Sequence, residues 1–547
     1  MTHRFRIAQF VRVLSVAPFA AVASFAPPAL AQQPTTPPPA TPPTPPAATP
    51  PVTTPPATTP PTTPAPPAEV PPATPAPQIP PPNPAPYGAP PVNEVDRASS
   101  TPGQNPRIGS PEEQQPLKTN PEAPLESSDQ PVPVKGKWNP VLYGFVEFDG
   151  IHDSTQSFND SAGNAAITEP GKYAGDHSRT IFGVRNSRLG FKLTAPETRH
   201  LRATGLLEMD FLGNQSTSTS SEAQIWSSPL FRIRHFAMKI EDPYVDVLIG
   251  QYWQLFGWQS YFHPNTVEIQ GVPGQVYSRS PQVRISHAFK TDPVTVELAL
   301  AASRPPQRDS AVPDGQAGLR ILINDWKGLH TAGATGTSVD ALAVGVSAVG
   351  RHFRLPEFAA TPKTGVEKNG GGISVDALIP VIPATIDHRE NGLSLTGSFV
   401  TGSGIADLYT GLTGGVGFPK LPNPMMLATA PTYTPDIDPG IVTFDSDGNL
   451  HPINWQSYMV GLQYYLPPSG KIWISGNYSH MKSNNAADYV ADKSTVFTKS
   501  DWVDGNIFWD ALPPLRLGVE YAYFHQTYGD DKTAKNHRVQ FSAWYMF

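Results

Sequence analysis

The sequence predicts an all-β protein: a transmembrane antiparallel β-barrel of about sixteen strands, preceded by a disordered proline-rich arm. Three observations carry that reading. Short stretches of alternating apolar and polar residues recur from Trp138 to Phe547. Short turns and long polar loops separate them by turns, as in barrels that cross an outer membrane. A secretory leader opens the chain.

Composition bounds the function classes. The chain has 547 residues, no cysteine and a formal net charge of −7. That charge offers no basic field for nucleic acid. The missing thiols exclude disulfide scaffolds and thiolate zinc sites and suit an oxidising compartment. Mean hydropathy is −0.29, a value that alternating strands reach by cancellation. No segment after the leader has an apolar run of helix-spanning length, so a membrane crossing requires a closed barrel.

Residues 1–31 read as a signal peptide. His3, Arg4, Arg6 and Arg12 form the basic region, an apolar stretch follows, and Ala29-Leu30-Ala31 is a small-x-small cleavage site. Residues 32–137 read as a periplasmic arm. Its first part, 33–91, is about half proline with Thr and Ala, the composition of a semi-rigid polyproline II spacer. At about 3.1 Å per residue it reaches on the order of 180 Å. The remainder, 92–137, is polar and flexible, and neither part has the apolar residues to build a core. The arm is a plain spacer or a contact to the cell wall or a periplasmic partner.

Residues 138–547 form the barrel domain. Alternation places strands at 141–151, 181–195, 200–212, 230–241, 244–252, 281–290, 293–303, 316–325, 339–351, 372–380, 391–402, 454–466, 470–481, 499–511, 514–526 and 536–547. In the last, Val539, Phe541, Ala543, Tyr545 and Phe547 share one face, and Arg538, Gln540 and Ser542 the other. The chain therefore ends inside a strand, as expected if that strand closes against the strand of Leu142. Tight turns at Glu241-Asp242-Pro243, Pro467-Pro468-Ser469-Gly470 and Leu512-Pro513-Pro514 are placed on the periplasmic side. The segments 152–178, 213–229, 253–280, 403–452 and 482–498 then lie outside the cell or fold inward. A barrel of about this strand number is wide enough for an aqueous channel.

The functional signal is electrostatic. Alternation points Arg188, Lys192, Arg202, Arg232, Arg234, Arg284, Arg320 and Arg516 into the lumen, together with Glu147, Asp149, Glu208, Asp210 and Glu520. Guanidinium forks bind carboxylates in two-pronged fashion and can pass an anion between weak sites. The opposing reading is that acids and bases pair across the wall and neutralise it. The segment 253–280 carries Trp253, Phe256, Trp258, Tyr261, Phe262 and His263, with Gly257, Gly271 and Gly274 as hinges. It folds into the pore as a constriction, or stays outside with its aromatics packed on one another or on a neighbouring subunit. No G-x-S-x-G elbow, P-loop or HExxH is present. His152-Asp153 and Asp387-His388 are adjacent pairs that an extended chain points to opposite sides, and the histidines show no ligand spacing. No catalytic residue, cofactor or metal is expected.

Several stretches together resemble one family, the DcaP-like outer-membrane porins. They are Leu142-Tyr143-Gly144-Phe145-Val146, Asn186-Ser187-Arg188-Leu189-Gly190-Phe191-Lys192, Arg232-Ile233-Arg234-His235, Leu248-Ile249-Gly250-Gln251 with Trp253 and Phe256, Pro281-Gln282-Val283-Arg284, Gly402-Ser403-Gly404-Ile405 and Arg538-Val539-Gln540-Phe541-Ser542. The resemblance implies a trimeric sixteen-stranded channel whose lumen arginines, here Arg188, Arg232, Arg234 and Arg284, favour small anions such as dicarboxylates. It also implies a coiled-coil N-terminal extension. The proline-rich arm cannot form one, so trimer contacts would have to come from the barrel wall. The expected function is a passive diffusion channel in the bacterial outer membrane for small hydrophilic solutes, with anion preference. The alternative is a structural barrel tethered through its arm, and a barrel enzyme is the third class.

Overall fold

The computed structural model describes residues 138–547 apart from 163–165, 199, 214–228, 269–270, 308–309, 333–335, 360 and 411–436. The leader, the arm and parts of several loops lie outside the described residues.

The barrel begins with β1 (Asn139–Asp153), β2 (Arg179–Gly183), β3 (Arg188–Thr194), β4 (Arg202–Asp210), β5 (Arg232–Glu241) and β6 (Asp246–Trp253). Next come β7 (Arg279–Lys290), β8 (Val294–Ser303), β9 (Asp314–Thr331), β10 (Thr337–Pro356), β11 (Gly365–Ile382) and β12 (Leu393–Ser403). A small hairpin in a loop, β13 (Val442–Phe444) and β14 (Leu450–Pro452), precedes β15 (Asn454–Tyr465), β16 (Ile472–Lys482), β17 (Phe497–Leu512), β18 (Leu515–Tyr528) and β19 (Thr533–Met546). β2 and β3 are two halves of one stave. β2 pairs with the upper part of β1 and β3 with its lower part. The break falls where Arg185 and Asn186 turn inward to Asp160 and Glu147. Counting that stave once, sixteen antiparallel staves close the sheet.

Closure occurs as the alternation predicts. β19 pairs with β1 from Phe145↔Met546 to Asp153↔Arg538. Phe547 exchanges both backbone hydrogen bonds with Gly144, each at 3.0 Å. The two faces of the closing strand are distinct: Val539 is 47 % exposed and Arg538 1 %. The same division holds on β1, where Leu142 and Val146 face out and Tyr143, Glu147 and Asp149 are buried. All sixteen predicted segments fall on a stave. The largest differences lie between 314 and 382, where β9, β10 and β11 reach 18, 20 and 18 residues. There the polar, glycine-rich run Gly365–Gly372 pairs with β10 without any apolar alternation to announce it.

Because the stave number is even, chain entry at Asn139 and exit at Met546 share the short-turn end. The turns 242–245, 291–293, 466–471 and 513–514 lie there too. The long loops emerge at the other end. Outward apolar residues form a band bordered by aromatics, with Trp509 and Tyr545 toward the short turns and Tyr458, Tyr478 and Tyr521 toward the loops. This is the surface that a hydrocarbon layer requires.

Candidate functional site

The segment 254–278 folds into the barrel. It leaves β6 at Trp253 and makes a single 3-10 turn at Phe256–Trp258. The wall beneath is built to receive it. Inward positions of β8, β9 and β10 are Ala299, Ala301, Gly318, Ala341, Ala343 and Gly345. On this low platform sit Leu255, Trp258, Tyr261 and Phe262. A Cβ at Gly345 would stand 2.8 Å from both the Trp258 and Phe262 rings, so no larger residue fits that socket without moving the loop. The Phe256 amide donates to Gln316 Oε1 at 2.9 Å, the Gly257 amide to Ser347 Oγ at 2.7 Å, and the Tyr261 hydroxyl to the Ala341 carbonyl at 2.9 Å.

The loop then crosses to the opposite wall. Asn477 Nδ2 donates to the Asn265 carbonyl at 2.6 Å. Glu520 Oε2 accepts from the Thr266 hydroxyl and from the amides of Val267 and Glu268, the last two at 3.0 and 3.2 Å. Val267 packs among Phe145, Tyr465, Trp473, Phe508 and Trp544. On its return the loop pairs with the segment after β12: Gly274 donates to the Thr410 carbonyl and Thr410 to the Gln275 carbonyl, both at 2.8 Å. Trp253, Phe256, Trp258, Tyr261 and His263 are all buried in the interior. Burial brings the His263 imidazole down to about 3, with nearby His330 and Arg279 adding to the effect, so it is neutral.

Beside the root of this loop, four guanidinium groups converge on two carboxylates. Arg188 comes from β3, Glu208 and Asp210 from β4, Arg232 and Arg234 from β5, and Arg279 from the start of β7. Arg232 grips Asp210 with two bonds of 2.9 and 2.7 Å. Arg234 bridges Glu208 Oε1 at 2.7 Å and Asp210 Oδ2 at 3.2 Å. A bulge sets this up. Glu208 lies opposite His235 and Met209 opposite Ile233, so Arg234 is the extra residue and both Arg234 and His235 turn inward. Arg188 Nε is 3.7 Å from Glu208, and its guanidinium lies over the Phe145 ring. Tyr143 crosses Gly190 to donate to Glu208 Oε2 at 3.0 Å.

The charges do not cancel. Two positive charges remain in excess, and they are registered by Tyr277 of the loop. Burial would raise its phenol, yet Arg234, Arg279, Arg188 and Arg232 bring it down to about 7. Arg279 lies over the Trp253 and Tyr277 rings, at 4.7 and 5.3 Å from their centroids. Its buried Nη1 and the buried Arg188 Nε make no hydrogen bond among the described residues.

The other predicted lumen residues are dispersed. Arg284 faces inward but bonds to Gln282 and the Trp253 carbonyl. Arg320 pairs with Glu297 and lies over Trp258 and Tyr261, where it clamps the loop. Arg516 pairs with Asp510 at 2.6 Å over the Trp473 ring. Arg202 lies 3.9 Å from Glu241, and Lys192 is half-buried on β3. Glu147, Asp149 and Asp153 on β1 and Asp504 and Glu520 on β17 and β18 line the adjoining wall, where Glu268 of the loop meets them. Arg538 approaches Glu268 at 3.4 Å and Asp153 at 3.7 Å. Inward carboxylates outnumber Arg516 and Arg538 on β1 and β17–β19, guanidiniums outnumber acids on β3–β7, and acids and bases pair on β8–β10, as in Arg320–Glu297 and Arg351–Asp314. His152 faces out to Thr180 while Asp153 faces in, and Asp387 and His388 are exposed.

Arg279, Tyr277 and Glu268 were not among the residues that alternation selected. Tyr277 and Glu268 lie in the loop, where no period applies. Arg279 starts β7, one residue out of phase with inward Ser280, Gln282 and Arg284, so strict alternation points it outward.

No family model matches the chain, and no curated protein matches it. Solved structures do. The outer-membrane channel DcaP of Acinetobacter baumannii aligns with a TM-score of 0.54 at 18 % identity, over 76 % of this chain and 98 % of that one. OmpT of Vibrio cholerae, in trimer form, aligns at 0.42 and 12 %, over 75 % and 100 %. An anion-selective porin from Comamonas acidovorans aligns at 0.41 and 12 %, over 75 % and 100 %. At 18 % identity the likeness to the DcaP channel is one of fold.

Proposed function

We propose that this chain is an outer-membrane channel through which small hydrophilic solutes diffuse passively, with a preference for anions such as dicarboxylates. One observation carries the reading: four guanidiniums face two carboxylates at the root of the inward loop, and the surplus is strong enough to draw the Tyr277 phenol down to about 7. In a lumen of reduced dielectric such a surplus attracts and briefly holds negative solutes. The paired arginines shape the wall, and Arg188 and Arg279 supply the charge that the two carboxylates leave over. A dicarboxylate suits a site with two surplus charges. Cleavage after Ala31 would deliver the chain to the outer membrane, with the arm 32–137 spacing the barrel from the cell wall or a periplasmic partner, and three copies would assemble through their barrel walls.

The test is reversal potential in planar bilayers. Under a tenfold KCl gradient the purified protein is expected to show anion preference, and succinate is expected to reduce chloride current. Cation preference, or indifference to succinate, refutes the proposal. A barrel that inserts but conducts nothing favours the structural, tethered reading.

A further inference from the structure

The outer wall of β15–β19 carries a feature that conduction through the lumen does not use. Its apolar band ends, toward the long loops, in the tyrosines Tyr458, Tyr478 and Tyr521. Just beyond them, still on the outward face, stand Lys482, Lys499 and Lys535, all exposed, with His480, His525 and His537 between. Lys482 and Lys499 are direct partners across β16 and β17, and Lys535 is opposite His525 across β18 and β19. Like charges directly opposite on one face of a sheet repel, and none of the three ammoniums forms an ion pair among the described residues. Asp501 is the one carboxylate on this face of the five strands above the tyrosines. It is occupied by His480 Nδ1 at 2.8 Å and the Tyr478 hydroxyl at 3.1 Å. The lysines are left uncompensated at the level where hydrocarbon gives way to water.

We infer that this band binds the phosphate-bearing headgroup of an anionic outer-leaflet lipid, whose acyl chains lie on the apolar wall below. Charge complementarity selects phosphate. The apolar surface from the paired Ile507 and Val519 up to the tyrosines selects a lipid over a free anion. The inference rests on the barrel lying in a membrane and is independent of the ion selectivity of the lumen.

The full-length protein in neutral detergent is mixed with diphosphoryl lipid A, separated by size exclusion, and its retained lipid measured by mass spectrometry. The triple variant Lys482→Gln, Lys499→Gln, Lys535→Gln is expected to bind on the order of tenfold or more weakly, since each basic residue near a lipid surface contributes to attraction. The triple Lys→Arg variant is expected to bind as the original does. Binding to the original is expected to weaken as salt is raised, which tests the charge independently should the Gln variant fail to fold. Equal retention by the Gln variant, insensitivity to salt, or retention of a dephosphorylated lipid to the same degree overturns the inference. Displacement by inorganic phosphate at equal concentration overturns it too, as the mark of a free-anion site. None of these readouts depends on conductance, so a loss of anion selectivity would count against the channel reading alone.

Discussion

Neutralising Arg188 and Arg279 together separates charge from structure in this lumen. Arg232 and Arg234 are unsuited to the purpose. They hold Glu208 and Asp210 through charge-assisted bonds of 2.7–3.2 Å, and removing one partner of a buried pair costs about 3–5 kcal/mol. Arg188 and Arg279 contact aromatic faces, and each has a buried nitrogen without a hydrogen bond. Arg188→Gln with Arg279→Gln leaves both carboxylates on Arg232 and Arg234 and brings the local excess from two positive charges to none. A charge-assisted contact to a bound anion contributes on the order of 1.5–3 kcal/mol, and about 1.4 kcal/mol is a tenfold change in occupancy. The double variant is therefore expected to lose roughly tenfold or more in succinate affinity. Its reversal potential under a KCl gradient should move toward zero, with single-channel conductance within about twofold of the original in saturating salt, where screening is strong. If both selectivity and succinate block survive, these arginines are structural and the lumen draws no anion selectivity from them.

Further expectations follow from the same geometry. Raising pH from 6 to 8.5 should weaken anion preference. The Tyr277 phenol, drawn down to about 7, is neutral below that value and an anion above it, so Tyr277→Phe should flatten the reversal-potential profile. Gly345→Ala places a methyl group against Trp258 and Phe262 at 2.8 Å. It should cost about 1–3 kcal/mol by overpacking and raise conductance by unseating the loop, measured in single channels and by heat denaturation. Deleting Phe547 removes two hydrogen bonds to Gly144 that help close the barrel, and should lower the yield of inserted, heat-resistant protein. Deleting residues 33–135 should leave a folded, heat-resistant barrel, because their proline-rich, polar composition offers few apolar side chains to a core.

The barrel was legible because each stave has one face in lipid and one in a polar interior, so alternation survives in almost every strand. It weakened only where a stave rises past the apolar band. Gly365–Gly372 pairs with β10 above that level and needs no apolar face. The inward course of the loop could have been read from its socket. Inward Ala299, Ala301, Ala343 and Gly345 are too small to fill a lumen, and a wall that small implies something seated on it. The surplus of charge was harder to see. Alternation selected Arg188, Arg232 and Arg234 together with Glu208 and Asp210, but pairing across strands consumes two of those arginines. The group that tips the balance, Arg279, is out of phase because it begins its strand.

Segregation of charge gives the inward loop a second role. Glu268 stands by the acidic strands with Asp149, Asp153, Asp504 and Glu520, while Tyr277 and the adjoining Arg279 stand with the arginines. One segment thus carries an acid to the acidic side and a titratable phenol to the basic side. Burial raises the Glu268 carboxyl above its ordinary range despite Arg538. The Tyr277 phenol moves the other way and can only subtract from the positive excess. Both shifts lower the charge contrast across the lumen as their groups titrate, in opposite pH directions: Glu268 loses its negative charge on acidification, and Tyr277 gains one on alkalinisation. Both titrations make the lumen more negative as pH rises, so anion preference should fall with pH in the original protein; a pH profile left unchanged in Tyr277→Phe and in Glu268→Gln would show that selectivity is set by the wall alone.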